Sequence, residues 1–76
     1  MLISALYLLF DPKFDAPLHR ELSAQPGLDL QTEEPGRMIL TLEAQDEESS
    51  ARRLRELIGL PGVLDVQVTG FYSEPS

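Results

Sequence analysis

The side chains able to do chemistry here are few. The chain has one histidine, His19, and no cysteine among its 76 residues. A lone imidazole cannot build a zinc site unless the fold gathers carboxylates around it, and His19 falls on a helix face that reads as solvated. The clustered acids have structural explanations. Glu33-Glu34 reads as part of a turn, and Glu47-Glu48 sits where a helix starts and negative charge meets the positive end of the dipole. No arrangement resembles a catalytic site. The expectation is therefore a chain that is not an enzyme, with no metal ligand and no cofactor.

Charge is more informative. Thirteen Asp and Glu against six Lys and Arg leave a formal charge of −7. Such a surface repels phosphate backbones, so no nucleic-acid partner is expected, and a complementary partner would be cationic. Acidity also keeps a small protein soluble. Without disulfides or thiolate metal sites, only packed apolar faces can hold the chain together.

The elements that position these groups follow from apolar periodicity. Residues 1–10 are apolar on both faces, as in a strand covered from both sides in mid-sheet. They lack a basic leader and fall far short of the roughly 20 residues a membrane span requires, so no span and a cytoplasmic location are expected. Asp11-Pro12-Lys13 breaks the strand. Asp15 reads as the N-cap of a first helix with Pro17 in its opening turn, and Leu18 and Leu22 face inward. Pro26-Gly27 then turns the chain into a strand with Leu28 and Leu30 inside. After the turn Glu33-Glu34-Pro35-Gly36 comes a strand over residues 37–44. Met38, Leu40, Leu42 and Ala44 lie on one side of it, with Ile39, Thr41 and Glu43 on the other. Asp46 can cap a second helix whose apolar stripe is Ala51, Leu54, Leu57 and Ile58. Pro61-Gly62 repeats the earlier corner 35 positions on. A last strand follows, placing Leu64, Val66 and Val68 inward and Asp65, Gln67 and Thr69 outward.

The order β-α-β-β-α-β predicts an α+β, ferredoxin-like domain over residues 1–72, with a polar tail at 73–76. It is a four-stranded antiparallel sheet with both helices on one face, and strands one and three at its centre. The other face then carries Asp29, Gln31, Ile39, Thr41, Glu43, Asp65, Gln67 and Thr69. One half of strand one runs through the middle: either Ile3, Ala5, Tyr7 and Leu9, or Leu2, Ser4, Leu6 and Leu8. Alternation alone does not choose between these halves. In both cases an apolar strip lies between polar and acidic strands, the mark of a docking surface.

Fold alone does not choose a function. Soft-metal carriers of this fold place a cysteine pair after strand one, where this chain has Asp11-Pro12-Lys13. RNA-binding members present aromatic and basic residues on the open face, and here that face is acidic. The arginine loop of acylphosphatase-like catalysis is missing.

Several stretches together resemble the NapD family. They are Ile3-Ser4-Ala5-Leu6, Pro26-Gly27, the run from Gly36 to Ala44, and Leu60-Pro61-Gly62-Val63-Leu64. The resemblance implies a cytoplasmic chaperone. Its partner would be the twin-arginine signal peptide of a molybdenum-containing nitrate reductase catalytic subunit, held back from export until the molybdenum cofactor is installed. An acidic domain with an apolar strip suits a peptide that has an Arg-Arg segment followed by an apolar stretch. Motif matching carries Ser4, Glu43 and Ala44; the face argument adds Tyr7, Ile39, Thr41, Asp65 and Gln67. Glu43 and Asp65 would meet the arginines, and Tyr7, Ile39 and Thr41 the apolar part. A monomer or weak homodimer is expected. The chain departs from the family pattern at the end of strand four, which reads Thr69-Gly70-Phe71-Tyr72 in place of a Tyr-His pair; Gly70 could bulge the strand there. The alternative reading is an ACT-like or amino-acid-sensing regulatory module that dimerises through its sheet.

Overall fold

Alternation along the first strand decides which side of the sheet the helices cover. In the computed structural model, which describes residues 1–73 apart from the side chain of Tyr72, β1 (Leu2–Phe10) buries every even-numbered residue and leaves the odd ones half-exposed. Leu2, Ser4, Leu6, Leu8 and Phe10 therefore lie under the helices. Ile3, Ala5, Tyr7 and Leu9 form the middle of the uncovered face.

A single 3-10 turn (Pro12–Phe14) follows, then α1 (Asp15–Ser23), β2 (Leu28–Glu34), β3 (Arg37–Ala44), α2 (Glu47–Ile58) and β4 (Val63–Ser73). The sheet is antiparallel in the order β2-β3-β1-β4, with β1 and β3 central. This is the ferredoxin-like arrangement expected. Ser73 ends β4, so the predicted tail is shorter at its start, and residues 74–76 lie outside the described residues.

The core gathers Leu6, Leu8 and Phe10 of β1, Met38, Leu40 and Leu42 of β3, Leu18 and Leu22 of α1, and Leu57 of α2. Each such side chain contributes roughly 1.5–3 kcal/mol on burial. The Pro-Gly corner after each helix supplies positive φ, +75° at Gly27 and +89° at Gly62, and Gly36 in the hairpin does the same at +80°. Through them β1 and β3 are tied to the turns: Glu43 N–H donates to Gly27 O at 2.8 Å and Asp11 N–H to Gly62 O at 2.8 Å.

Several local expectations are corrected. Asp15 is the first residue of α1, not its cap; Asp11 instead caps the preceding 3-10 turn, its carboxylate accepting from Lys13 N at 3.0 Å. Glu33 and Glu34 belong to β2, because Pro35-Gly36 alone suffices to close the hairpin. The buried side of α2 runs through Ser50, Leu54 and Leu57, which leaves Ala51 and Ile58, about 100° further round the helix, in solvent. Leu64 is 72% exposed. A register slip between Leu9 and Phe10 pairs Phe10 with Val63 and leaves Leu64 unopposed, so Val63 packs inward in its place. Asp46 caps α2 as read, accepting from Ser49 N at 2.8 Å, and that bond holds its carboxyl below the usual range.

Candidate functional site

Strand register turns the uncovered face into four rows of side chains. Glu43 and Ile3 form the first, and Asp29, Thr41, Ala5 and Gly70 the second. Thr32, Ile39, Tyr7 and Gln67 form the third, and Glu34, Arg37, Leu9 and Asp65 the fourth. Ile39 is 40% exposed and Tyr7 and Leu9 are half-exposed, so apolar surface crosses the centre of the face uncovered.

Bulges decide who joins these rows. Between Leu30 and Thr32 the β2 strand slips one residue against β3, and Thr32 comes opposite Ile39. Glu33 is thereby turned to the helix side, opposite Met38. In β4 the slip falls at Thr69, beside the residue expected to bulge; Thr69 Oγ1 donates to Ala5 O at 3.2 Å. Gly70 then faces Ala5, and a Cβ placed on it would meet no atom within 4 Å. These two small residues stand between Ile3 and Tyr7 on the uncovered face.

The structure brings together most, though not all, of the residues read as a site. Tyr7, Ile39, Thr41, Glu43, Asp65 and Gln67 all stand on the uncovered face. Ser4 does not. It is 3% exposed, on an even position of β1, with its hydroxyl 3.4 Å from Ser50 of α2. Its placement on the open face is corrected by the same alternation that puts Tyr7 there, since residues an odd number apart on a strand point to opposite sides. Ala44, the other motif residue, is also buried beneath the helices.

Glu43 and Asp65 occupy the first and last rows, about 20 Å apart along the strands, too far to share one arginine pair. Their electrostatics also differ. Asp65 is engaged locally, accepting from Val66 N at 3.0 Å and from Gln67 Nε2 at 3.0 Å. Glu43 has no side-chain partner among the described residues, and neither does Asp29. Asp29 lies diagonally from Glu43, at the roughly 7–8 Å typical of diagonal neighbours. The second carboxylate near Glu43 is therefore Asp29, which alternation had placed on this face without a role.

The opposite end carries a cation. Arg37 donates from Nη1 to the Tyr7 hydroxyl at 3.3 Å and from Nε to Glu34 at 3.0 Å. The Tyr7 hydroxyl first, and Glu34 after it, hold the guanidinium above its ordinary value. Tyr7, Thr32, Glu34, Arg37, Met38 and Ile39 enclose a hollow of about 200 Å³ at this end. Arg37 was legible in principle, because it shares the odd-numbered side of β3 with Ile39 and Thr41. On the second row, Gln31 Nε2 donates to Thr41 Oγ1 at 3.1 Å, which fixes the hydroxyl beside Ala5. Unpaired carboxylates at one end and apolar side chains across the middle would match a long amphipathic ligand with a cationic end.

A model of the family described as NapD protein matches residues 1–75. None of the curated proteins matches the sequence. Among solved structures, the solution structure of the E. coli Tat proofreading chaperone protein NapD is similar with a TM-score of 0.80 and 21% identity. The match covers 97% of this chain and 78% of that one. At this identity the likeness is one of fold.

Proposed function

The chain belongs to the NapD family, and from that premise we propose that it is a proofreading chaperone. Its cargo is the twin-arginine signal peptide of a molybdenum-containing nitrate reductase catalytic subunit. Bound in the cytoplasm, the peptide is withheld from export until the cofactor is in place. The protein works as a monomer or weak homodimer, and no helix of the described residues is long and apolar enough to cross a membrane.

The observation that carries this reading is the polarity of the uncovered face. Unpaired Asp29 and Glu43 stand at one end, the half-exposed strip of Ile3, Tyr7, Leu9 and Ile39 crosses the middle, and Arg37 closes the other end. Glu34 and Asp65 at that end are already bonded, to Arg37 and to Gln67, so a peptide with two arginines before an apolar stretch finds free carboxylates in one direction. Its guanidiniums meet Asp29 and Glu43, its apolar residues lie over Tyr7 and Ile39 and enter the hollow, and the reverse orientation sets arginine against Arg37. Thr41 and Gln67 border the path with hydrogen-bonding groups. Asp65, already satisfied, assists at the far edge, and Ser4 acts indirectly by seating α2 on β1.

Calorimetric titration with the synthetic signal peptide, alongside an Arg-Arg→Lys-Lys version, tests this. Saturable binding is expected, weakened at least about tenfold by the lysines, which lack the planar fork that grips a carboxylate with two parallel bonds. Equal affinity for both peptides, or no binding of either, sinks the reading.

A further inference from the structure

On the helix side of the sheet, the β2 bulge has a second effect. Strict alternation from Leu28 and Leu30 would send Glu33 to the open face. The slip after Leu30 instead sets it over α1, opposite Met38. There Glu33 Oε1 lies 2.8 Å from His19 Nε2, while Asp15 Oδ1, one helical turn before His19, lies 3.2 Å from the same nitrogen. The fold has gathered two carboxylates around the only imidazole in the chain.

We propose that Asp15, His19 and Glu33 form a binding site for a divalent transition-metal ion of the zinc type, at the seam of α1 and β2. One donor atom from each residue falls within 4.8 Å of the others. Around a tetrahedral zinc with bonds of about 2.0–2.1 Å, neighbouring ligand atoms stand ~3.3 Å apart. The distances of 2.8 and 3.2 Å from Nε2 to the two carboxylate oxygens are close to that edge, so an ion can replace the shared proton with small side-chain adjustments. Asp15 and His19 sit i and i+4 on one helix face, and Glu33 arrives from a different element, so the donors converge from two sides. A hollow of about 280 Å³ beside the carboxylates, bounded also by Phe10, Pro12 and Gly36, leaves room for water in the remaining coordination position. His19 is 37% exposed in its side chain, so the ion has an entry path. One nitrogen and two carboxylate oxygens suit a borderline ion; calcium prefers a shell of six to eight oxygens that this site does not supply. The site is independent of peptide binding, because it occupies the opposite side of the sheet from Asp29, Glu43 and Tyr7.

The test titrates the untagged chain with zinc chloride, and with calcium chloride as a control, by calorimetry and by following the His19 ring resonances. With no other histidine or cysteine in the chain, those resonances report this site alone. One-to-one zinc binding with a matched shift of the His19 signals is expected, together with a melting temperature that rises with zinc concentration. His19→Gln should abolish the effect, and Asp15→Asn and Glu33→Gln should each weaken it by about tenfold or more. Calcium should not compete. Absence of binding up to about 1 mM zinc overturns the proposal. So does zinc binding unchanged in His19→Gln, which would indicate adventitious association with acidic surface only. Should a variant fail to fold, the wild-type His19 signals still decide: unmoved signals at saturating zinc refute the site.

Discussion

Ser4 on β1 and Ser50 on α2 are both buried and face each other hydroxyl to hydroxyl at 3.4 Å, the point where α2 is keyed to the central strand. Ser4 belongs to a stretch shared in type with the NapD family, yet it stands beneath the helices, away from the uncovered face. Removing one hydroxyl leaves its partner buried and unsatisfied, at a cost of about 1–3 kcal/mol, whereas removing both is nearly neutral. Ser4→Ala should therefore lower stability in chemical denaturation, and Ser4→Ala with Ser50→Ala should recover most of it. Peptide affinity should be unchanged in both, by calorimetry on the folded protein.

Asp29 and Glu43 are the free acids of the open face. Glu43→Lys and Asp29→Lys should each weaken a twin-arginine peptide by about tenfold or more, about 1.4 kcal/mol per decade. Asp65→Asn should do less, because that carboxylate is already bonded to Val66 and Gln67. The wild-type affinity should fall as salt is added, since exposed charges are screened beyond about 10 Å at 0.1 M. Equal effects at all three positions would refute the assigned orientation.

The apolar middle should behave as a contact surface and not as core. Ile39→Asp places a charge in the path of the apolar stretch without entering the packed interior, because Ile39 lies on the uncovered side. A peptide affinity reduced tenfold or more, with an unchanged circular dichroism spectrum, is expected. Met38→Asp, one residue away but buried, should instead unfold the domain.

The His19–Glu33 contact predicts a pH dependence in metal-free buffer. The hydrogen bond to Glu33, and after it the charges of Glu33 and Asp15, raise His19 above its ordinary value of about 6.5, with burial working against them. A raised imidazole stabilises the fold fully below about 6.5, and that share is lost as pH rises through the higher folded value. Glu33 is lowered, first by its bond to His19, so its share is present above its ordinary value of about 4.5 and is lost as pH falls through the lower one. Melting temperature should thus be highest in the mildly acidic range and decline above it. His19→Gln should flatten the alkaline limb.

Gly27 tests the corner beside the acidic end. Its φ is +75°, and a Cβ there would fall 2.8 Å from the Glu43 carbonyl oxygen. Gly27→Ala should cost about 1–3 kcal/mol, read as a lowered urea midpoint.

What composition and periodicity determine by themselves is the sheet: its strand order, its single covered side, the two Pro-Gly corners and the sign of the charge. These follow from local rules, because apolar alternation, helix spacing and φ preferences are set within a few residues. The structure had to decide which half of β1 faces outward, since Met1 to Phe10 is apolar on both sides and only the placement of Leu18, Leu22 and Leu57 over the even residues breaks the tie. It also decided the register. The slips at Gln31, Leu64 and Thr69 depend on pairing with a neighbouring strand, and each reverses or frees the side chains beyond it. For that reason Glu33 moves from a predicted turn to His19 and Leu64 loses its place in the core, while the antiparallel pairing itself sets Asp29, rather than Asp65, diagonally beside Glu43.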